Sequence, residues 1–227
     1  MSNIVDGRLS SVAKFVRWGA RFADVGTDHA YLPLFLLKEG IIDRAVCSDI
    51  NEGPLANARA TAAEFGVYDK IDFVLTDGAA ALSEYGITDM AICGMGGELI
   101  AEIIEAAPFI KENKIRLILQ PMTRQEHLRE YLYLGGFSLV GEDYVSAGGK
   151  NYSIIVAEYS GVIPTDKPSA VIRYGTACEK STAAQREYLC SKLRSKRAAL
   201  SGIAKSGRRD EQLCGDIEYI ERLLSEL

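Results

Sequence analysis

The chain has 227 residues, with 26 Lys and Arg against 31 Asp and Glu and a formal net charge of −5. Hydrophobic residues make up 48% and charged residues 25%, a globular composition that excludes a disordered chain, a collagen-like chain and a disulfide scaffold. No apolar run approaches the ~18–20 residues that cross a bilayer, and Met1–Asp6 shows neither a basic stretch nor an apolar one, so neither a leader nor a membrane partner is expected.

Leu9, Val12, Ala13 and Val16 recur at helical spacing, and Gly19 stops the pattern. Short apolar strands then alternate with helical stretches. The strands are Arg21–Val25, Ala45–Ser48, Ile71–Leu75, Met90–Cys93 and Arg116–Leu119; the helices are Leu32–Lys38, Pro54–Phe65, Glu98–Ala106 and Gln125–Leu134. This alternation predicts βαβ units and a parallel sheet with helices on both faces. After Gly135-Gly136 two extended segments, Phe137–Tyr144 and Asn151–Tyr159, flank the turn-like Ser146-Ala147-Gly148-Gly149, so the sheet is expected to close with a hairpin and become mixed.

Residues 161–168 read as a linker, dividing a domain of residues 1–160 from a tail of residues 161–227. In the tail, Leu189, Leu193, Leu200 and Ile203, then Leu213, Ile217, Ile220, Leu224 and Leu227, predict two antiparallel helices packed like a short coiled coil, with a break at Ser206-Gly207. The two parts differ in charge, −8 against +3. Any polyanion would therefore meet the tail first, where Lys192, Arg194, Lys196, Arg197, Lys205, Arg208 and Arg209 cluster around the hairpin tip. Five cysteines (Cys47, Cys93, Cys178, Cys190 and Cys214) form no C-x-x-C pair, and only His29 and His127 could join them as imidazole ligands. Free thiols in a reducing cytoplasm, without a metal, are the simplest reading.

The first strand ends in Asp24-Val25-Gly26-Thr27-Asp28-His29-Ala30. In doubly wound sheets this first strand–helix turn is the key ligand loop. A dinucleotide fingerprint would place a second glycine at Asp28 and a third at Tyr31, and a carboxylate at Asp28 repels a pyrophosphate. Asp49 closes the second strand at roughly the spacing of a ribose-binding acid, and Asp77-Gly78 closes the third. Acids that are common turn formers singly are thus expected to converge on one crevice. Such a crevice disfavours NAD, FAD and ATP. It suits S-adenosyl-L-methionine, which carries a sulfonium, an ammonium and ribose hydroxyls but no phosphate. The fourth strand runs into Gly94-Met95-Gly96-Gly97, read as a tight turn that lets a ligand approach the backbone.

Arg8-Leu9, the run Ala23-Asp24-Val25-Gly26-Thr27-Asp28-His29-Ala30-Tyr31-Leu32-Pro33, Gly53-Pro54-Leu55, Asp77-Gly78, Gly94-Met95-Gly96-Gly97 and Leu119-Gln120-Pro121 together closely resemble the bacterial TrmK family of tRNA (adenine-22-N1)-methyltransferases, over about residues 4–160. The helical tail also looks like the family's. The resemblance implies an α/β fold, a class I Rossmann-like seven-stranded methyltransferase sheet with a C-terminal α-helical coiled-coil hairpin that helps bind tRNA. It implies S-adenosyl-L-methionine as the methyl donor, with Asp24, Gly26 and Asp28 at its methionine part, Asp49 at the ribose, Asp77 and Gly78 facing the adenine, and Ile50 and Gly94 among the cofactor-binding residues. The usual Asp/Asn-Pro-Pro-aromatic motif after the fourth strand is missing, as in the family, and Gly94-Met95-Gly96-Gly97 takes its slot.

N1 of adenine carries an in-plane lone pair and needs no general base, so alignment dominates the expected catalysis. Asp28 and His29 at the crevice mouth, Tyr31 as a stacking surface, and the carbonyls of Gly94 and Met95 are the candidates at the base. Arg8 and Arg124 would add tRNA contacts near the crevice, beside Lys192, Arg194, Arg197, Arg208 and Arg209 on the tail. The partner is tRNA, and a monomer is favoured. Two alternatives stand beside this: a class I methyltransferase acting on a protein or small metabolite, and a non-catalytic S-adenosyl-L-methionine-binding regulator.

Overall fold

The structure is a computed structural model that describes residues 5–163, 169–178, 182–204 and 210–226. Its centre is a seven-stranded sheet in the order β3-β2-β1-β4-β5-β7-β6. The strands are β1 (Phe22–Val25), β2 (Ala45–Asp49), β3 (Ile71–Leu75), β4 (Asp89–Gly96), β5 (Arg116–Thr123), β6 (Phe137–Ala147) and β7 (Lys150–Tyr159). Strands β1 to β5 pair in parallel, while β7 runs antiparallel to both of its neighbours, so the expected closing hairpin makes the sheet mixed. Strand order reverses between β1 and β4, and there the carboxyl ends of the strands open a crevice.

Side chains alternate across the sheet as a period of two requires. Ala23, Val46, Met90, Ile92, Leu117, Leu119 and Ile155 enter one core, covered by α4 (Gly97–Glu105), α5 (Phe109–Glu112) and α6 (Gln125–Leu134) through Ile100, Ile104, Phe109, Leu128 and Leu132. Phe22, Ala45, Cys47, Ala91, Ile118 and Ile154 enter the other, covered by α1 (Gly7–Ala13), α2 (Tyr31–Lys38) and α3 (Glu52–Glu64) through Val12, Leu32, Leu34, Ala58 and Ala62. A fully buried Leu or Ile contributes ~1.5–3 kcal/mol, so these two layers hold the sheet.

The strand ends near the crevice run longer than the sequence suggests. Instead of stopping at Cys93 for a tight turn, β4 continues to Gly96. Its pairing with β5 shifts register between Cys93 and Met95 and again before Gly96. Gly94, at φ 81°, is the bulged residue that permits this. Gly97 then lets the β5–α6 turn come close: a Cβ there would lie 2.4 Å from the carbonyl oxygen of Arg124.

Beyond β7 lie α7 (Ser169–Tyr174), a 3-10 turn (Gly175–Cys178), α8 (Ala183–Ala204) and α9 (Glu211–Glu226). The expectation of a linker leading straight to a helical pair missed α7. This helix packs on α6. Helices α8 and α9 run antiparallel, tied by Arg186 to the Leu224 carbonyl at 3.1 Å near one end and by Lys196 to Asp216 at 2.7 Å nearer the other. At their base the tail encloses an ion pair in the body. Arg129 and Glu142 have side chains 0% and 1% exposed, with Nε donating to the carboxylate at 2.8 Å. Glu142 also accepts from the Tyr144 hydroxyl at 3.0 Å and from the backbone N–H of Thr176. Burial works against the Arg129 charge, but Glu142, together with Tyr188 and Tyr144 beside it, outweighs it and keeps the guanidinium protonated.

Candidate active site

A cavity of about 780 Å³ opens at the carboxyl ends of β1 and β4. It is lined by Arg8, Asp24, Gly26, Asp28, His29, Tyr31 and Gly94 among the expected residues, and by Thr27 and Cys93 beside them. The β1–α2 loop builds most of it. Gly26 turns the chain at φ 78°, and both Gly26 and Thr27 donate backbone N–H groups to the Ser48 carbonyl, at 2.8 and 3.0 Å. A Cβ on Gly26 would meet only the movable end of the Met95 side chain, so it is the left-handed backbone at this turn that calls for glycine. Met95 belongs to this packing and does not line the cavity. Ala30, at φ 54°, starts α2 without a side-chain cap.

Asp24 is the electrostatic focus. It lies on the sheet face covered by α1 and α2, among Cys47 and Cys93. Burial pushes its carboxyl up to about 6, against a hydrogen bond from the Thr27 hydroxyl at 2.7 Å and the opposing charge of Arg8, while the charge of Asp49 raises it further. Burial and the nearby Asp24 charge likewise hold the Cys47 and Cys93 thiols well above the usual range, so neither is a thiolate at neutral pH. Asp28 is exposed at the mouth, 3.6 Å from His29 Nε2. The His29 ring stacks on Tyr31 with centroids 5.1 Å apart and planes inclined by 19°. With Tyr31 41% exposed, this pair offers an aromatic face to solvent at the cavity mouth.

Asp49, Ile50, Asp77 and Gly78 stand at the ends of β2 and β3, next along the sheet edge, and do not line this cavity. Asp49 is an Asx-turn acceptor for the Asn51 N–H at 2.8 Å, so the turn-forming role expected of such acids is present at this position. Ile50 is 59% exposed beside it. Among the tail cations, Lys192 donates to Gln125 Oε1 at 2.7 Å, Arg194 pairs with Glu187 at 2.7 Å and Arg197 with Glu221 at 2.6 Å. Arg124 stands 3.6 Å from Glu98. Lys205, Arg208 and Arg209 lie outside the described residues. Two residues that the sequence left without a role are Thr27, which donates to Asp24, and Gln120, buried at the end of β5, whose Oε1 accepts from Arg8 at 2.7 Å.

The family described as "Methyltransferase domain" matches residues 5–155. A tRNA (adenine(22)-N(1))-methyltransferase of Bacillus subtilis is 36% identical over 151 residues, which are 66% of this chain and 63% of that protein, so the match spans less than two thirds of that relative's length. The crystal structure of the B. subtilis m1A22 tRNA methyltransferase TrmK superposes with a TM-score of 0.78 at 30% identity, covering 98% of this chain and 97% of that one. The chain belongs to the TrmK family. A further family-like structure is that of a Streptococcus pneumoniae protein described as a proposed tRNA (m1A22) methyltransferase, in complex with S-adenosyl-L-methionine. It has a TM-score of 0.85 at 32% identity and covers 97% of this chain and 99% of that chain. These family members share the seven-stranded Rossmann-like sheet described above. Among the described residues no helix is long and apolar enough to cross a membrane.

Proposed function

We propose that the chain is an S-adenosyl-L-methionine-dependent methyltransferase acting on N1 of adenosine 22 in tRNA. The observation that carries this reading is the crevice at the strand switch point. It is lined by Asp24 and Asp28 and bordered by the bare turn at Gly26, in a chain of the TrmK family. A buried carboxyl held at about 6 fits a cationic ligand and opposes a pyrophosphate.

When bound, the cofactor supplies a sulfonium methyl; the N1–C bond forms as the S–C bond breaks, leaving a neutral thioether and a cationic adenine, and no proton has to leave. The chain's residues then have three tasks. Asp24, Gly26, Asp28 and Gly94 hold the amino-acid end, Asp49 and Ile50 the ribose, and Asp77 and Gly78 the adenine of the cofactor. The stacked His29–Tyr31 pair receives the target base once it leaves its helix, a step that costs a few kcal/mol. The Asp28 carboxylate and the Gly94 carbonyl at the β4 bulge offset the positive charge that moves onto that base.

Residues 1–160 act as the cofactor-binding domain and residues 161–227 as a coiled-coil hairpin that docks tRNA. Support comes from where α8 lies. Ser191 and Arg194 share a cavity of about 420 Å³ with Met122, Lys150, Asn151 and Tyr152, and Tyr152 in turn sits under Arg8 at the crevice. Lys192, Arg194 and Arg197, with Arg124 on the body, would meet phosphates along this path, and Arg208 and Arg209, outside the described residues, are the further proposed phosphate contacts. Arg194–Glu187 is an exposed ion pair, screened by water and salt, so a phosphate can displace the carboxylate. The test is transfer of labelled methyl from the cofactor to unmodified tRNA, followed by nucleoside analysis. The expected product is 1-methyladenosine at position 22; a different methylated nucleoside, or transfer to protein alone, would sink the reading.

A further inference from the structure

Resting on the methyl transfer to tRNA proposed above, we infer that Gln125 is a positioning residue for that reaction. It braces the β5–α6 turn against α8, and so fixes the spacing between the arm that docks tRNA and the strand ends beside the target base. The amide of Gln125 is used at both ends, and each end serves a different part of the molecule. Its Oε1 accepts from Lys192 Nζ of α8 at 2.7 Å. Its Nε2 donates to the backbone carbonyls of Met122 and Pro121, at 3.3 and 3.4 Å. These partners fix which way the amide faces, because an ammonium only donates and a carbonyl only accepts. Glu, Lys or Leu at this position would lose one link or both. Gln125 is 8% exposed, so bulk water competes little for these bonds.

The carbonyls that Gln125 holds belong to the end of β5. Pro121 stands opposite Met95 and Thr123 opposite Gly96, so this end is paired with the bulged end of β4. The Gly94 carbonyl, set against the charge that develops on the base, lies in the same bulge. The turn itself has little slack. Arg124 sits at φ 54°, in the left-handed region that long side chains rarely take, and its carbonyl fills the space where a Cβ on Gly97 would stand. A backbone of this kind persists only where its surroundings hold it. At the other end, Lys192 has three N–H donors and Gln125 takes one of them. Gln125 is neutral, so it orients the ammonium and leaves its charge uncancelled. Lys192 also lines a cavity of about 340 Å³ with Arg173, Ser195 and Lys196, beside the acids Glu126 and Asp216. A phosphate taken there is bonded to a side chain that is itself bonded to the end of β5. Met122 repeats the juxtaposition, since it shares its cavity with Ser191 and Arg194 of α8. Two side chains and one turn thus join docked tRNA to the wall beside the base. No proton has to leave the base, so the rate rests on alignment, and alignment rests on this spacing.

The experiment uses the full chain, unmodified tRNA and S-adenosyl-L-methionine. It measures single-turnover methyl transfer at saturating tRNA, tRNA affinity over a salt series, and cofactor affinity by calorimetry. For Gln125→Leu the transfer rate should fall roughly tenfold while both affinities stay within about twofold, because docking is intact but the base arrives out of line. Lys192→Met should lose rate even at saturating tRNA. Lys192→Arg keeps a donor for Gln125 and should recover most of that loss. The double variant Gln125→Leu with Lys192→Met should be no slower than the slower single variant, since both changes cut one brace. An unchanged rate for Gln125→Leu overturns the inference, and so do losses that multiply in the double variant. A fall in cofactor affinity that matches the fall in rate also overturns it, and makes Gln125 a support of the crevice alone. The same holds for weaker tRNA binding with a shallower salt dependence and a normal rate at saturation, which leaves Gln125 only holding Lys192 for a phosphate. Should Gln125→Leu not fold, Lys192→Met and Lys192→Arg decide: equal rates at saturating tRNA overturn the inference. A wild type that transfers no methyl to tRNA is a separate pattern, and it removes the functional reading along with the inference.

Discussion

The crevice and the tail carry charge in opposite ways. In the crevice, Asp24 is buried, its carboxyl held at about 6, with a hydroxyl and a distant guanidinium as its compensation. On α8 the cations Arg194, Lys196 and Arg197 are each matched to an acid within 2.7 Å. The difference teaches where ligand selectivity lies. A desolvated, under-compensated group gains greatly from the right counter-charge, whereas an exposed, pre-paired group exchanges partners at almost no net gain. The crevice is therefore built for discrimination and the tail for general attraction. Between them sits a third arrangement, Arg129 with Glu142, buried and fully matched in charge.

Breaking that third arrangement should have the largest effect. Arg129→Leu leaves Glu142 buried without its counter-charge and should cost about 3–5 kcal/mol of stability in urea unfolding. The double variant Arg129→Leu with Glu142→Leu should recover much of this, and a single variant as stable as the wild type would show the pair to be exposed in solution. The same pair bears on truncation: a chain ending near Tyr159 loses Thr176 and the cover of the tail over Glu142, so it should be less stable than the full chain even though the sheet is complete.

Next in size is Asp24. Its carboxyl pKa is raised in the folded state, from 3.8 to about 6. The protonated form therefore favours folding: its contribution is complete below pH ~4 and is lost as pH rises through about 6, up to ~3 kcal/mol. Asp24→Asn should then stabilise the ligand-free protein at pH 8 relative to pH 4, when each is compared with wild type. The ligand should behave in the opposite sense. A bound ammonium favours the ionised carboxylate, so cofactor affinity should rise as pH climbs through about 6, with proton release in calorimetry near that pH. A flat profile from pH 5 to 8 would remove Asp24 from the ligand's surroundings.

Asp49 comes third. Because its carboxylate also accepts from Asn51, Asp49→Asn is the cleaner change: an amide oxygen can keep the turn while the charge is lost. Cofactor affinity should fall by roughly 1.5–3 kcal/mol, with unchanged thermal unfolding. The smallest effect belongs to the tail. Glu187→Gln together with Glu221→Gln releases Arg194 and Arg197 from their partners; thermal unfolding should barely move, while tRNA affinity rises and its dependence on salt steepens. The reverse change, Arg194, Arg197, Arg208 and Arg209 all to Gln, should flatten the salt dependence by up to ~0.7–0.9 per lost phosphate contact and leave cofactor binding alone.

Much of the body was legible because its signals are local. Strand β3 and helix α6 begin and end at the residues that their apolar patterns mark, Ile71–Leu75 and Gln125–Leu134. The carboxyl ends of β4 and β5 were not, since Gly94, Gly96 and Pro121 read as breakers in a sequence, whereas a bulge lets pairing run on to Thr123. Helix α7 is six residues long, too short for a periodic pattern to emerge. At the site, Asp24, Gly26 and Asp28 could be placed because one turn holds them all. Gln120 could not be assigned: its contact with Arg8 joins positions 112 apart. The one available signal was a polar residue ending the run Leu117-Ile118-Leu119. Thr27 lay within the motif, but its bond to Asp24 depends on the left-handed turn at Gly26.

The docking of α1 sets the order in which the protein can become competent during synthesis. The helix is synthesised well before the strands it rests on, β6 and β7. Ser11 and Lys14 bond to Asp143 of β6, Phe15 lies against the bare backbone of Gly141, and Arg8 rests over Tyr152 of β7. Loop closure over some 130 residues separates the two partners. The β1–α2 turn can form early, but the wall that carries Arg8 is completed only after the β6–β7 hairpin has emerged. A stalled nascent chain lacking that hairpin holds the acidic half of the crevice without its guanidinium, and it should not retain the cofactor.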